Sequence, residues 1–181
     1  MRCGYGEIDT FVGEVWDLAT EGVVSAIHCE LHPAGPIATD LIRRAGPEVE
    51  RELRLLEPPA LGHFCVTTAG TLRFKTIIHL AASTLSRLPT AESLRESLGK
   101  GLTYGFHQKM RSVSIPALFI EPGEIPTTIA AKAIVETSFI HLQRARHPNR
   151  IVLVVPTDYV HGVFKSELER MLLGEDPTRN I

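Results

Sequence analysis

Gly35-Pro36-Ile37-Ala38-Thr39-Asp40-Leu41-Ile42-Arg43-Arg44-Ala45-Gly46-Pro47 reads as a glycine-containing loop that opens a helix. Such a junction leaves backbone N–H groups without intrahelical partners at the positive end of the helix dipole, the arrangement that holds phosphates. The helical spacing of Leu41, Ala45, Val49, Leu53 and Leu56 carries the segment through residues 38–57, with a break expected at Gly46-Pro47 and a stop at Pro58-Pro59.

Working outward, residues 8–16 and the shorter apolar run 22–27 read as strands ahead of this loop, the second of them a buried parallel one. Residues 64–68 and 74–80 are two further strands, parted by the turn Ala69-Gly70-Thr71. A helix is expected over 89–110, a strand over 112–119, a helix over 125–142 with Pro126 near its first turn, a strand over 150–155 and a last helix over 160–173. Strands and helices alternate, so the fold class is α/β: a three-layer α/β/α domain with a mostly parallel, mixed central sheet. One domain is expected over residues 1–173, with 174–181 as a mobile tail.

The chain has 181 residues, 44% of them hydrophobic and 22% charged, enough to bury a core without metal or disulfide. A net charge of −2 gives no general pull toward nucleic acid or anionic membrane. Neither a signal-peptide core nor an apolar run of roughly 18 residues is present, and Cys3, Cys29 and Cys65 are odd in number and far apart, as for reduced thiols. A cytoplasmic protein with no membrane partner is expected.

The order of Gly13-Glu14-Val15, Val24-Ser25-Ala26-Ile27-His28, Gly35 to Pro47, Phe74 to His79 and Ser112 to Pro126 resembles the macro domain, the ADP-ribose-binding fold. The closest matches are Ile42-Arg43-Arg44-Ala45-Gly46-Pro47, Lys75-Thr76-Ile77-Ile78-His79 and Ser114-Ile115-Pro116-Ala117, which belong to the scaffold more than to ligand contacts. The resemblance implies the three-layer fold and a nucleotide-like small molecule as partner.

At the positions that carry function, this chain departs from the family pattern. Glu14 stands where typical members place an aspartate against the adenine amino group, keeping the carboxylate on a longer arm. Ser25-Ala26-Ile27-His28 replaces an Asn-Ala-Ala-Asn motif, so the resemblance puts Ser25 and His28 at the two asparagine positions. Ala34-Gly35-Pro36-Ile37 replaces a run of glycines in the first phosphate loop, and Pro36 has no N–H to give. Phe119-Ile120-Glu121-Pro122-Gly123-Glu124 replaces the Ser-Thr-Gly loop, placing Glu121 and Glu124 where a diphosphate would lie. Two carboxylates there oppose a diphosphate by about a few kcal/mol in a partly desolvated cleft.

The candidate ligand-binding residues are therefore Glu14, Ser25, His28, Gly35, Pro36, Ile37, Phe119, Ile120, Glu121, Gly123 and Glu124. A divergent module that binds a nucleotide or ADP-ribose-related ligand weakly is the leading reading. Its alternatives are a ligand-free scaffold for a protein partner, and a hydrolase using His28 with a loop carboxylate. Efficient ADP-ribosyl hydrolysis is not expected, and no cofactor is implied. Cys29, His32, His63 and Cys65 lack a recognised zinc spacing, so no metal is expected. The basic cluster His141, Arg144, Arg146, His147 and Arg150 has no aromatic platform beside it in the sequence, so nucleic acid is not expected either.

Overall fold

The computed structural model describes residues 1–173; the tail expected over 174–181 lies outside the described residues. Seven strands form one sheet in the order β1-β2-β7-β6-β3-β5-β4: β1 (Arg2–Cys3), β2 (Gly6–Val12), β3 (Gly22–His28), β4 (His63–Thr68), β5 (Thr76–Ser83), β6 (Ser112–Pro116) and β7 (Arg150–Val155). The five central strands run parallel, while β1 and β4 close the two edges antiparallel. Apolar runs buried on both faces favour this arrangement, because helical crossovers cover each side.

Side-chain direction alternates along each strand, and two cores follow from that period. Val24, Ala26, Ile78, Leu80, Ile115 and Leu153 face α3 (Ala91–His107), α4 (Thr127–Arg144) and α5 (Asp158–Leu172). Val23, Ile27, Ile77 and Ala81 face α1 (Pro36–Ala45) and α2 (Pro47–Leu55). This is the expected α/β/α sandwich.

Several expected boundaries move. The strand at 8–16 stops at Val12, because Gly13 turns the chain at φ 148° and Val15–Asp17 coil into a 3-10 turn. The helix at 38–57 is two helices, parted by Gly46 at φ 98° with Pro47 starting the second. The strand at 112–119 ends at Pro116, and the strand at 74–80 instead runs from Thr76 to Ser83. The two-residue edge strand β1 was too short to read from periodicity.

At the amino end of β3, Glu21 accepts hydrogen bonds from the Arg111 backbone N–H (2.6 Å) and from Lys75 Nζ (2.9 Å). The Arg111 amide foremost, then Lys75, holds its carboxyl down at about 2. A carboxylate depressed in the folded state contributes stability above its unfolded value, and that contribution is lost as pH falls from about 4.5 toward 2. Glu21→Gln should therefore lower stability at neutral pH and flatten the stability profile below pH about 4.5; urea titrations across that range test it.

Candidate functional site

The strand order reverses direction of growth between β3 and β6: the chain passes from β3 to β5 on one side and from β6 to β7 on the other. In an open α/β sheet, a crevice forms outside the carboxyl ends of the strands at such a switch point. Here the β3 chain leaves His28, turns through Leu31 at φ 65°, and enters α1 at Gly35. The β6 chain leaves Pro116, passes Phe119 at φ 60°, and enters α4 after Pro126. Gly35, Pro36 and Ile37 from the first loop face Phe119, Glu121 and Glu124 from the second across one crevice.

That crevice is nearly shut. Its volume is about 10 Å³, room for about one water-sized sphere. Phe119 is 5% exposed and packs into the core with Leu118 and Ile125, and the Ile125 N–H donates to its carbonyl at 3.0 Å. Ile120, half-buried, rests on the same core. Two roomier cavities, about 590 Å³ each, lie elsewhere, one outside α1 and α2 and one at the amino ends of the strands. Size alone does not make either of them the counterpart of this crevice: the first takes Leu31, His32 and Pro33 from the loop after β3 but nothing from the loop after β6, and the second takes neither loop.

Gly35 adopts φ 86°, a left-handed conformation that favours glycine, and a Cβ built there would meet nothing within 4 Å. The backbone is thus open on the side where α1 begins. Neither α1 nor α4 has a side-chain cap or an acidic residue in its first turn. By contrast α3 and α5 carry Thr90 and Thr157 caps, and α2 carries Glu48 and Glu50. The helix that starts at the crevice, α1, and the helix that follows its second loop, α4, are those whose N-termini no side chain of their own neutralises.

His28 is half-buried, and its Nδ1 lies 2.8 Å from Ser83 Oγ. A register shift between Ile27 and His28 brings it opposite Ser83. Ser83 lies beyond the apolar run Phe74 to Leu80, and the small-residue continuation Ala81-Ala82-Ser83 is the signal in the sequence that extends the strand to it. Glu124 is half-buried and its Oε2 accepts from the Glu121 backbone N–H at 3.3 Å. Burial foremost pushes the Glu124 carboxyl up, and the Glu121 charge adds to it; the hydrogen bond from the Glu121 N–H and the nearby His28 oppose this.

The remaining candidates lie apart. Glu14 is exposed, stands at the N-cap position of the 3-10 turn beyond β2 without a side-chain capping bond, and does not line the crevice. Ser25 is fully buried, 0% exposed, on the α1/α2 face of β3, and its Oγ has no partner. It is sealed from the crevice because the odd-numbered residues of β3 point under the helices. Gly123 sits at the loop tip with open space around it. Among the described residues no three His, Cys, Asp or Glu side chains gather as a metal would require. Burial pushes the Cys65 thiol up to about 11, so it is held as a thiol.

A family model for the macro domain matches residues 24–134. The chain belongs to the macro domain family. Among its relatives is an uncharacterised protein of Sulfurisphaera tokodaii, 25% identical over 167 residues, covering 90% of this chain and 91% of the relative. An uncharacterised Mycobacterium tuberculosis protein is 26% identical over 173 residues; the match takes in 96% of this chain but 47% of that protein, so this macro domain spans about half its length.

Solved structures share the fold at low identity. The Oceanobacillus iheyensis macrodomain, determined with ADP, superposes with a TM-score of 0.87 at 18% identity, covering 96% of each chain. The Trypanosoma brucei macrodomain, in complex with ADP-ribose, gives 0.78 at 16% identity over 88% of this chain and 68% of that one. Among the described residues no helix is long and apolar enough to cross a membrane.

Proposed function

We propose that this macro domain binds a nucleotide or ADP-ribose-related ligand weakly, in the crevice between the Gly35 loop and the loop from Phe119 to Glu124. The observation that carries the reading is the uncapped N-terminus of α1 opening onto the crevice at the switch point, across from the loop that leads into the equally uncapped α4. An uncapped helix N-terminus offers backbone N–H groups and a positive dipole end to an anionic group. Fold neighbours determined with ADP and with ADP-ribose support the ligand class. Weakness follows from Pro36, which removes a donor, and from Glu121 and Glu124, which put negative charge beside the phosphates.

Calorimetry with ADP-ribose, ADP and AMP tests this. The double variant Glu121→Gln/Glu124→Gln should bind ADP-ribose at least about tenfold more tightly than the natural chain, or about 1.4 kcal/mol. An unchanged affinity would place the carboxylates outside the ligand's reach.

A specific observation also favours a second reading, a ligand-free scaffold for a protein partner: the crevice, with Phe119 as one of its walls, holds only about 10 Å³. A thermal-shift screen in which neither nucleotides nor ADP-ribose stabilise the protein would favour it. A third reading uses His28, oriented by Ser83 and near Glu124, as an acid–base group. Efficient removal of ADP-ribose from protein is not expected, because Ser25 is buried away from the crevice and supplies no clamp for a distal ribose. Robust turnover that is lost in His28→Ala would overturn that expectation.

A further inference from the structure

The basic cluster near the end of α4 lacks an aromatic neighbour in sequence but gains one in space. Tyr5, 55% exposed at the tip of the β1–β2 hairpin, lies under Arg146, whose guanidinium carbon is 5.6 Å from the ring centroid. The hairpin tip is fixed there: the Tyr5 N–H donates to Leu142 O and the Glu7 N–H to Asn149 O, both at 2.8 Å. Tyr5 stands between two glycines that let the backbones meet. A Cβ on Gly4 would lie 2.2 Å from Leu142 O, and one on Gly6 would lie 2.1 Å from Asn149 O.

Beside this ring is a cavity of about 590 Å³, lined among others by Arg2, Tyr5, Arg111, Asn149 and Arg150. It lies outside the amino ends of β2, β3, β6 and β7, so strands of five to seven residues separate it from the crevice, roughly 15–20 Å. Glu21 and Glu7 also stand in it, but each is engaged, Glu21 by Lys75 and Arg111 and Glu7 by Arg150. Arg2 and Arg146 have no ion-pair partner among the described residues. The cleft thus offers an exposed, rigidly held aromatic face with two guanidinium groups not neutralised by a carboxylate, Arg2 in its lining and Arg146 over the ring.

We infer that this cleft binds single-stranded nucleic acid, with a base stacked on Tyr5 and the flanking phosphates met by Arg2 and Arg146. Stacking on an aromatic face is sequence-tolerant, since every base has a π-face, and arginines track the backbone. The amide of Asn149 adds a donor and an acceptor for a base edge. Local geometry here outweighs a net charge of −2 spread over the whole chain. The absence of an aromatic platform, which argued against nucleic acid in the linear sequence, does not hold in the folded chain.

Fluorescence anisotropy with a labelled single-stranded oligonucleotide of about ten nucleotides, as RNA and as DNA, is the test. The natural chain should bind with an affinity that falls as salt rises. Tyr5→Ala should weaken binding at least about fivefold. Tyr5→Phe should retain it, and Arg146→Ala should reduce the salt slope by about 1. Thermal melts of Tyr5→Ala should match the natural chain, since the ring is exposed. Glu121→Gln/Glu124→Gln, which alters the opposite end of the sheet, should leave oligonucleotide binding unchanged. Absent binding, binding indifferent to Tyr5→Ala, or displacement by ADP-ribose overturns the inference. Displacement by AMP at equal nucleotide concentration also overturns it, because the site would then take free nucleotides instead of a strand. Failure of the crevice to bind ADP-ribose leaves every one of these outcomes readable.

Discussion

Lowering the pH from 7 to 5 should cost the folded protein about 2 kcal/mol through His79 alone. His79 is 0% exposed on β5, beneath α1 and α2, and burial depresses its imidazole from 6.5 to about 3. Its Nε2 lies 2.9 Å from Thr67 Oγ1, and because that hydroxyl donates to Thr68 O at 2.8 Å, the imidazole proton is assigned to Nε2. Nδ1 is left as a buried acceptor without a partner, on the strand register position opposite Ser25, whose Oγ is likewise unpartnered. The unfolded chain takes up a proton below about 6.5 while the folded chain does not, so stability is complete above that value and falls away toward about 3. Glu21 contributes little to this window, since its own loss begins only below about 4.5. Urea unfolding at pH 7.5 and 5.0 for the natural chain and His79→Leu is the measurement. Equal pH slopes in the two proteins would show that His79 is not the proton-linked group.

The fold was legible because its central strands are apolar on both faces. The runs containing Val23 to Ala26, Ile77 to Leu80, Val113 to Ala117 and Ile151 to Val155 are too short for helices and lie between helical repeats, and they fall at β3, β5, β6 and β7. What failed was local. Burial-driven patterning says nothing of a two-residue edge such as β1, and a β-branched run such as Phe11 to Trp16 does not reveal that Gly13 breaks it. Proline and glycine marked the α1–α2 junction, but whether a helix kinks or restarts there depends on how Gly46 packs.

The crevice was legible in part. Gly35, Pro36, Ile37, Phe119, Glu121 and Glu124 come together because each follows a strand whose carboxyl end the βα pattern already placed at one edge. Ser25 shows the limit of reading by motif position, since strand period 2 turns it away from the loops that its neighbours feed. Ser83 and Tyr5 show another limit. Their partnerships, to His28 and Arg146, join residues far apart in the chain, through a strand register and a hairpin contact that no local pattern encodes.

Phe119→Gly should lose about 2–4 kcal/mol of stability and bind ADP-ribose more tightly than the natural chain. Removing a buried phenylalanine side chain costs about 3–5 kcal/mol, and the added backbone freedom of glycine about 0.5–1 more. Against this, Phe119 sits at φ 60°, and relief of that left-handed conformation returns about 1–2 kcal/mol. Phe119→Ala removes nearly the same packing but keeps the unfavourable backbone. The glycine variant should therefore be the more stable of the two, the reverse of their usual order within a regular element. Because Phe119 is one wall of a crevice of about 10 Å³, either substitution opens space across from the start of α1, where a phosphate would meet backbone donors. Urea titration of the three proteins, followed by calorimetry with ADP-ribose, measures both effects on the same samples. If alanine matches glycine in stability, the strain at this residue only offsets the added backbone freedom of glycine, about 0.5–1 kcal/mol. If the opened crevice binds no better than the closed one, Phe119 is not what keeps the ligand out, and the charge of Glu121 and Glu124 must account for weak binding by itself.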